Sequence, residues 1–490
     1  MKILPVLLLD AYKVGHIFQY PEDTELVYSN LTPRNTRRDD GTSHVVWFGL
    51  QYFILEYLID RFNKDFFAVP REEVMRQYKR RIDNYLGKDH IKYDHIGELH
   101  DLGYLPLVIK AFPEGASVPY GVPVLTVKNT DKRFFWLTNM IETIMSSVLW
   151  KASTSATTAL GFRRTFEEYA KLTGSPRDFV KWQGHDFSFR GMCGEMDAAV
   201  SGAGHLLSFT GTDTIPAIDF LEQYYGADCE KELIGGSVSA TEHSVVCMGE
   251  PTGELDLLRR LLTEVSPTGV LSMVSDTWDL WKMLTVYLPA LKEVIMKREG
   301  KLVSRPDSGN PVKILCGDSE LPESLPAHKG VVELLWNTFK GTTTETLHRL
   351  LDSHVGTIYG DSINRDRQKR ILAGLAAKNF ASANVVLGLG SYTYQYVTRD
   401  TDGWAMKATY GVTKSRGPIE IFKDPITDDG GKRSAKGLLR VDKVDGEYVL
   451  RQQVTPEEEQ GGELVPVFEN GKLLKFQTLS EIRARVEAVV

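Results

Sequence analysis

Cysteine is scarce in this chain, and its four cysteines lie far apart. Cys193, Cys229, Cys247 and Cys316 form no CxxC pair. Disulfide frameworks and cysteine-based zinc sites both need clustered cysteines, so the sequence predicts neither of them. Reduced, isolated thiols are typical of a cytosolic protein, and we therefore expect a cytoplasmic location.

Long hydrophobic runs are also missing. The apolar start, Ile3 to Leu9, is followed at once by Asp10, Tyr12 and Lys13, with no small-residue cleavage site of the kind a signal peptide carries. No other stretch approaches the roughly 20 apolar residues that a membrane-spanning helix needs. We expect no membrane partner.

An excess of positive charge is the third feature that the chain lacks. It carries 58 Lys and Arg against 65 Asp and Glu, a formal net charge of −7. A surface that binds nucleic acid needs many uncompensated cations, so we expect no nucleic-acid partner. A small phosphate pocket remains compatible with this balance, because a few local cations can outweigh the global sign.

The 490 residues are too many for one ordinary core and suggest two or three folding units. In the first zone, 1–145, the Val- and Pro-rich segment Val118–Val127 favours edge strands or a small sheet. Helical periodicity follows over Phe134–Trp150 and Ala156–Leu172. In the last zone, 391–490, Asp445-Gly446 and Asn470-Gly471 each predict a hairpin, and a terminal helix is predicted over 479–489.

The middle zone, 146–390, alternates short apolar runs, polar loops and helical patterns. The runs are Val270–Val274, Lys301–Val303, Gly356–Tyr359 and Asn384–Leu387, and their loops hold Asp, Arg, Ser and Gly. This alternation implies parallel strands with right-handed crossovers. The predicted fold class is therefore α/β, with a (β/α) barrel-like domain at 146–390. A β-rich domain is expected from both chain ends, 1–145 together with 391–490.

Polar residues that follow the predicted strands are candidates for chemistry, because barrels of this type place their active sites at the carboxyl ends of the strands. The segments are 185–191 (HDFSFRG), 211–214 (GTDT), 240–244 (ATEHS), 304–309 (SRPDSG), 360–362 (GDS) and 388–391 (GLGS). Carboxylates bind ribose hydroxyls and Arg binds phosphate. Each segment also has an ordinary structural alternative, as a loop with core aromatics, a helix cap, a structural His or a turn.

The 388–391 segment is a possible phosphate site, since backbone N–H groups at a helix start bind phosphate. It is not the GxGxxG dinucleotide fingerprint, because Thr393 stands where the third glycine would be. A lone GxG is weakly specific.

In this order, the segments resemble nicotinamide phosphoribosyltransferases, a family of type II phosphoribosyltransferases. The matching stretches include DAYKVGH (10–16), FGLQY (48–52), HDFSFRG, FTGTDT, EHS, SDTWD (275–279), RPDSGNP, YGDSIN, TRD (398–400), FKDP (422–425) and KRS (432–434). They extend over most of the chain, and their shared order makes the resemblance specific.

The resemblance implies a homodimer whose two active sites lie at the subunit interface. The implied reaction transfers the phosphoribosyl group of phosphoribosyl pyrophosphate to nicotinamide, giving nicotinamide mononucleotide and pyrophosphate for NAD biosynthesis. Mg²⁺ is expected to arrive with the donor rather than in a fixed protein site. ATP as an activating co-substrate remains open at this point. Nicotinate phosphoribosyltransferase is the alternative, and Asp213 argues against it because an acid would repel the nicotinate carboxylate.

Residue by residue, the resemblance implies that Phe187 stacks on nicotinamide opposite Tyr12 of the partner subunit, while Asp213 and Arg305 contact the base. Catalytic roles fall to His243, Glu242, Asp276 and Asp307, and His243 is the residue that ATP would phosphorylate. The implied phosphoribosyl and phosphate contacts are Arg190, Gly360, Asp361, Gly390, Ser391, Arg34, Arg399 and Lys407. Of these, Arg34, Arg399 and Lys407 are expected to reach across the dimer.

The chain departs from a branch of the family at two places. Gly390-Ser391-Tyr392 stands where that branch has a run of glycines, and Ala405 stands where it has Ser. Backbone N–H donors survive the first change unless Tyr392 alters the turn. The second removes a hydroxyl donor, so affinity for phosphoribosyl pyrophosphate is expected to differ.

Overall fold

A computed structural model describes residues 3–423 and 435–490. Asp424 and Pro425 of the FKDP stretch and the whole KRS stretch, Lys432–Ser434, lie outside the described residues. The described chain divides into two compact units. One comprises Met1–Thr157, Leu221–Ala227 and Thr398–Val489, and the other comprises Thr158–Phe220 and Asp228–Val397, with Val490 assigned to it.

The strands are numbered in chain order. They are β1 Thr24–Pro33, β2 His44–Val46, β3 Leu107–Ala111, β4 Ser117–Pro119, β5 Leu125–Asn129, β6 Gly184–Asp186, β7 Gly211–Thr212, β8 Ser239–Ala240, β9 Thr268–Val274, β10 Glu299–Arg305, β11 Gly341–Thr343, β12 Arg349–Leu351, β13 Val355–Tyr359, β14 Val385–Leu389, β15 Trp404–Thr413, β16 Gly417–Glu420, β17 Leu438–Val444, β18 Glu447–Val454, β19 Val465–Glu469 and β20 Lys472–Leu473.

The longer helices are α1 Arg71–Leu86, α2 Asp94–Leu102, α3 Leu137–Thr173, α4 Glu195–His205, α5 Ile215–Tyr225, α6 Glu250–Arg260, α7 Val331–Phe339, α8 Arg365–Ala377 and α9 Leu479–Glu487. Shorter helices include His16–Gln19, Leu50–Phe53, Val180–Gln183, His243–Cys247, Leu280–Lys282, Leu288–Ala290, Lys292–Lys297, Pro311–Cys316, Pro326–Lys329, Ser391–Tyr394 and Pro456–Glu459. No helix among the described residues is both long enough and apolar enough to cross a membrane.

The first unit is built on a seven-stranded antiparallel sheet to which both chain ends contribute. Its order is β16-β15-β1-β5-β3-β19-β20. The N-terminal strand β1 pairs with the C-terminal strand β15, where Leu31 lies opposite Met406. Side chains including Trp47, Phe53 and Phe468 pack into the core of this unit. The expected β-rich domain assembled from both chain ends is thus confirmed as part of the fold class.

Turn chemistry explains the hairpins in the C-terminal zone. Asp445 and Gly446 have φ of 51° and 90°, and Asn470 and Gly471 have φ of 48° and 80°. Positive φ at both central residues is the type I′ geometry that Asn-Gly and Asp-Gly favour. The first pair joins β17 to β18 and the second joins β19 to β20, as the sequence predicts.

The edge-strand prediction for Val118–Val127 is wrong for part of that segment. Strand β4 does form a small ladder with β2. Strand β5, however, lies inside the seven-stranded sheet, between β1 and β3. Pro123 precedes β5 and so removes no hydrogen bond from it, which permits an interior position.

One long helix replaces two predicted ones. Helix α3 is continuous from Leu137 to Thr173, through the polar residues 151–155 and past the expected domain boundary at 145/146. Ser153 Oγ donates to Phe48 O at 3.0 Å, and Thr157 Oγ1 accepts from Val46 N at 2.9 Å. Because these hydroxyls find backbone partners, polar side chains can be buried on the helix without breaking it.

The second unit is built on a seven-stranded parallel sheet of order β7-β6-β14-β13-β10-β9-β8. Thr212 N donates to Gly236 O, and Gly236 N donates to Thr210 O, both at 2.9 Å. These bonds join β7 to the segment before β8, so the two ends of the strand order are linked as in a barrel. The predicted barrel-like α/β architecture is therefore confirmed.

Candidate active site

The strands of the parallel sheet end at residues that the sequence singled out. Phe187 and Arg190 follow β6, Asp213 follows β7, Glu242 and His243 follow β8, Asp276 follows β9, Arg305 ends β10 and Asp307 follows it, Gly360 and Asp361 follow β13, and Gly390 and Ser391 follow β14. Carboxyl ends of parallel strands share one edge of the sheet. The fold therefore brings this part of the predicted set together at one rim.

Helix capping, the ordinary alternative for the acids of these loops, is performed by other residues. Asn310 caps the helix Pro311–Cys316, and Asn364 caps α8. Asp279 caps the helix that begins at Leu280. The capping explanation is therefore wrong for Asp307 and Asp361, whose loops leave the caps to these neighbours.

A cavity of about 390 Å³ lies inside the barrel unit, and predicted base-binding residues line it. Phe187, Asp213 and Arg305 share its wall with apolar side chains such as Trp182 and Val270. Cavities of this size, mostly apolar with a few polar groups, are typical of small-molecule sites. The chain's own side chains leave this space unfilled.

Glycines in two of the loops make room for the Phe187 ring. A Cβ at Gly388 would lie 2.4 Å from Phe187 Cδ2, and one at Gly360 would lie 3.4 Å from the same ring. Phe187 N also donates to Leu389 O at 3.1 Å, which continues the pairing of β6 with β14. The glycines of GLGS and YGDS thus have a packing role at the aromatic wall, beside the phosphate role expected from sequence.

Asp213 is held by two side chains that received no role from sequence. Its Oδ1 accepts hydrogen bonds from His185 Nε2 at 2.8 Å and from Ser237 Oγ at 2.6 Å. Burial acts to raise the pKa of Asp213, but these hydrogen bonds, together with the charges of His185 and Arg305, hold the pKa below its usual value. The carboxyl group is therefore an ionised acceptor.

Arg305 provides the cation beside this acid. Its guanidinium donates to Thr241 O. Burial lowers the pKa of Arg305, and the nearby carboxylates of Asp307 and Asp213 oppose that shift. A partly desolvated guanidinium between two acids is suited to bind an anionic or carbonyl oxygen.

Asp276 organises the loop that carries Asp307. Its Oδ2 accepts from Asp307 N and Ser308 N, each at 2.8 Å, and from Ser308 Oγ at 2.6 Å. Its Oδ1 lies 3.7 Å from His243 Nε2. Burial and the neighbouring acids Asp276 and Asp361 raise the pKa of Asp307, while Arg305 and His243 act against this. The acids, the Arg and the His thus form one electrostatic group.

Glu242 and His243 lie at the start of the short helix His243–Cys247. The side chain of His243 is 49% exposed, so its ring is accessible to a ligand. The carboxylate of Glu242 accepts from Ser244 Oγ. The turn that contains Arg190 packs against Ser391, since a Cβ at Gly191 would lie 2.2 Å from Ser391 Oγ, and the charge of Arg190 acts to lower the pKa of Arg305.

The remaining predicted residues belong to the unit that is built from both chain ends. Burial lowers the pKa of Lys407, as do the charges of Arg34, Arg399 and Lys423, while Glu142 raises it. The structure thus brings Arg34, Arg399 and Lys407 together as a cationic cluster. Tyr12 is 65% exposed on its own turn, with Lys13 Nζ 5.4 Å from its ring centroid.

Positions that depart from the family branch differ in their surroundings. Ala405 is buried in β15. Tyr392 is exposed and stacks on Tyr396 with 5.6 Å between ring centroids. Within residues 3–423 and 435–490, no group of three or more His, Cys, Asp or Glu side chains is arranged to hold a metal ion.

Sequence reasoning missed His185 and Ser237 as partners of Asp213. Side chains two residues apart in an extended segment point to the same face. The spacing of His185 and Phe187, on either side of Asp186, therefore indicates that the two rings face the same way. Ser237 offered none, because it lies in the irregular segment before β8. Its closeness to Asp213 arises from barrel closure at Gly236.

Comparisons with known proteins agree on one group of enzymes. Residues 182–460 match the model of the nicotinate phosphoribosyltransferase (NAPRTase) family, and residues 5–109 match the nicotinamide phosphoribosyltransferase N-terminal domain. A nicotinamide phosphoribosyltransferase of Acinetobacter baylyi is 51% identical over 99% of this chain and 97% of its own length. One from Mycoplasma pneumoniae is 32% identical over 89% of this chain and 96% of its own length.

Solved structures support the same fold at low identity. The nicotinate-nucleotide pyrophosphorylase of Pyrococcus furiosus superposes with a TM-score of 0.57 at 15% identity, covering 98% of this chain and 93% of that one. Human nicotinic acid phosphoribosyltransferase superposes with a TM-score of 0.54 at 16% identity, with the same coverage.

Proposed function

This chain belongs to the nicotinamide phosphoribosyltransferase family, and on that premise we propose that it transfers the phosphoribosyl group of phosphoribosyl pyrophosphate to nicotinamide. The products are nicotinamide mononucleotide and pyrophosphate, which places the enzyme in NAD biosynthesis. The observation that carries the choice of base is the ionised carboxylate of Asp213 beside Phe187 on the wall of the cavity.

Charge at Asp213 favours nicotinamide over nicotinate. The carboxamide of nicotinamide offers N–H donors to a carboxylate, whereas nicotinate would set a second negative charge against it. A poorly paired buried charge costs on the order of 1–3 kcal/mol, which is about tenfold to a hundredfold in an equilibrium constant. Arg305, on the same wall, would donate a hydrogen bond to the carbonyl oxygen of the amide.

The aromatic wall is suited to the charge that develops during the reaction. The pyridine nitrogen displaces pyrophosphate at C1 of the ribose, and the base becomes a pyridinium. Phe187, with Tyr12 of the partner subunit opposite it, would attract the cationic ring more strongly than the neutral one. This preference is differential, so it lowers the barrier instead of only tightening substrate binding.

The rim loops would hold the donor. Asp307 and Asp361 would accept hydrogen bonds from the ribose hydroxyls, and Arg190, Gly360, Gly390 and Ser391 would contact the phosphoribosyl group. Burial and the nearby carboxylates of Asp276 and Asp361 raise the pKa of Asp307, and a cation bound beside these acids would relieve their repulsion. Mg²⁺ bound to the diphosphate would supply that charge and stabilise the leaving pyrophosphate.

We further propose a cytoplasmic homodimer with shared active sites. The cluster of Arg34, Arg399 and Lys407 would reach the pyrophosphate of the partner subunit's site. Burial lowers the pKa of Lys407, and the repulsion from Arg34 and Arg399 lowers it further. Binding a polyanion would relieve that repulsion.

His243 is the residue that we propose to couple ATP to turnover. One imidazole nitrogen would take the γ-phosphoryl group, with ADP leaving, and hydrolysis would later return the free His. Exposure of the ring and the presence of Asp276 3.7 Å away support this assignment. Glu242 and Asp276 would position the ring.

One assay tests the proposed function. The purified protein is incubated with phosphoribosyl pyrophosphate, Mg²⁺ and either base, with and without ATP, and the nucleotide formed is identified. Nicotinamide mononucleotide should form, with a much larger kcat/KM for nicotinamide than for nicotinate. Equal or better use of nicotinate would make the alternative, nicotinate phosphoribosyltransferase, the correct function.

A further inference from the structure

The two oxygens of Asp213 have different surroundings. His185 Nε2 and Ser237 Oγ both donate to Oδ1, at 2.8 Å and 2.6 Å. Because a carboxylate only accepts, the imidazole must carry its proton on Nε2 to make this bond. Oδ2 is the oxygen that neither donor uses, and it remains to meet a ligand in the cavity that Asp213 lines.

Each donor is fixed by its own part of the chain, His185 by strand β6 and Ser237 by the segment before β8. The His185 ring is buried, lies 4.6 Å from the Phe187 ring, and packs so closely on Gly211 that a Cβ there would lie 2.7 Å from Nδ1. Ser237 follows Gly236, whose N–H and C=O are both bonded to the β7 segment. The pair therefore holds Asp213 from two directions.

We propose that His185 and Ser237 are specificity-determining residues: by occupying Oδ1, they keep Asp213 an ionised acceptor with one free oxygen, which takes an amide N–H and rejects a carboxylate. This inference rests on the proposed function. It assigns the choice between the bases to three side chains, from β6, the loop after β7 and the segment before β8, and not to Asp213 alone.

The chemistry depends on the protonation state of Asp213. An ionised acid repels nicotinate, but a protonated acid can donate a hydrogen bond to the nicotinate carboxylate. Burial favours the protonated form, and the two donors counteract it, with Arg305 on β10 and the charge of His185 on β6 acting in the same direction. Removing a donor therefore raises the pKa of Asp213 and extends protonation toward neutral pH.

The test compares four variants with the parent enzyme. Ser237→Ala and His185→Phe each remove one donor, and the second keeps a ring against Phe187. His185→Gln restores an N–H donor at similar reach. Ser239→Ala is the matched control, because Ser239 is exposed two residues further along the same segment. For each protein, kcat/KM is measured with nicotinamide and with nicotinate across the acid to neutral range.

We expect Ser237→Ala and His185→Phe to lower the ratio of nicotinamide to nicotinate kcat/KM by roughly tenfold, the usual size of one lost hydrogen bond to a charged group. In both variants, the pH below which this ratio falls should be higher than in the parent enzyme. His185→Gln should retain most of the parent ratio, and Ser239→Ala all of it. A merely structural defect would reduce activity with both bases equally and leave the pH dependence in place.

A parent-like ratio and pH profile in both donor-removing variants would overturn the proposal. For a variant without turnover, calorimetric Kd values for nicotinamide and nicotinate replace the kinetic ratio, and an unchanged Kd ratio counts equally against it. Failure of the proposed function is distinguishable, since it would appear in the parent enzyme as no nicotinamide mononucleotide formed.

Discussion

Asp307 lies among like charges, which add to the effect of burial on the pKa of its carboxyl group. Burial raises the pKa of Asp307, and the carboxylates of Asp276 and Asp361 raise it further. As pH falls, an acid with a raised pKa is protonated earlier than an ordinary Asp. If ribose binding needs the ionised form, activity must be lost as pH falls through this raised pKa.

Asp361→Asn should therefore move the acid limb of the pH profile to lower pH. Removing the neighbouring charge lowers the pKa of Asp307, which then stays ionised further into the acid range. The measurement is kcat/KM for phosphoribosyl pyrophosphate against pH, with the midpoint evaluated separately from the expected loss of maximal activity. Asp366→Asn, an exposed acid in the first turn of α8, is the control. An acid limb that stays in place or moves upward contradicts the prediction.

The exposed ring of His243 gives a second prediction for a single residue. His243→Ala should abolish any stimulation of turnover by ATP, because the variant has no nitrogen to accept the phosphoryl group. Initial rates with and without ATP measure the stimulation, and acid-labile label from γ-labelled ATP measures the phosphoenzyme. His90→Ala, at an exposed position in the other unit, should behave like the parent. Unchanged stimulation in His243→Ala would exclude this role.

Strand β14 makes room for the aromatic wall because Gly388 has no side chain. The Phe187 ring packs directly on the backbone at Gly388, where a Cβ would approach Cδ2 to 2.4 Å. Such a distance is far inside van der Waals contact, so either the ring or the strand has to move. The aromatic wall thus depends on two parallel neighbours, β6 and β14, being in register at Leu389 and Asp186.

Gly388→Ala should raise the KM for nicotinamide at least tenfold, since a displaced ring no longer stacks on the base. The KM for phosphoribosyl pyrophosphate should change much less, which separates displacement of the ring from general damage. Gly253→Ala in α6 is a control, because its Cβ would meet nothing within 4 Å. A parent-like KM for nicotinamide in Gly388→Ala would show that the ring position does not matter.

Among the helices and strands, the sequence correctly predicted those whose conformation depends on residues close together in the chain. Asp445-Gly446 and Asn470-Gly471 form hairpins because their conformations need no distant partner. The predicted terminal helix, 479–489, forms as α9 over Leu479–Glu487 for a similar reason, since Thr478 caps it locally. Strand β5 was misplaced, since its central position depends on pairing with β1 and β3, which are distant in sequence.

In the active site, too, locally determined features were predictable and features that depend on distant residues were not. Loops after parallel strands were predictable, because the alternation of strand, loop and helix fixes which strand ends share a rim. Partners within the rim were not predictable in the same way. The bond from Ser237 to Asp213 depends on closure of the barrel between the two ends of the sheet order, and no local pattern encodes that closure.

At the scale of the whole chain, the predicted site residues are divided between the two units. The barrel unit holds the acids, the aromatic ring and Arg305, whereas the unit made from both chain ends holds Tyr12 and the cluster of Arg34, Arg399 and Lys407. This division has a consequence if, as we propose, each active site takes its barrel from one subunit and its cationic cluster from the partner. Two variants that are each inactive can then complement one another.

Mixing Asp213→Asn subunits with Arg399→Ala/Lys407→Ala subunits should restore about one quarter of the parent activity. Random exchange makes half of the dimers mixed, and each mixed dimer has one intact site, formed by the unaltered barrel of one subunit and the unaltered cluster of the other. Activity is measured after the mixture is unfolded and refolded together. Asp213→Asn mixed with Arg305→Ala is the matched control, because both changes damage the barrel half and no mixed dimer contains an intact site. No recovery in the test mixture would mean that each subunit builds its site alone. Recovery in the control would mean that mixing restores activity by a route other than shared sites, and it would equally contradict the prediction.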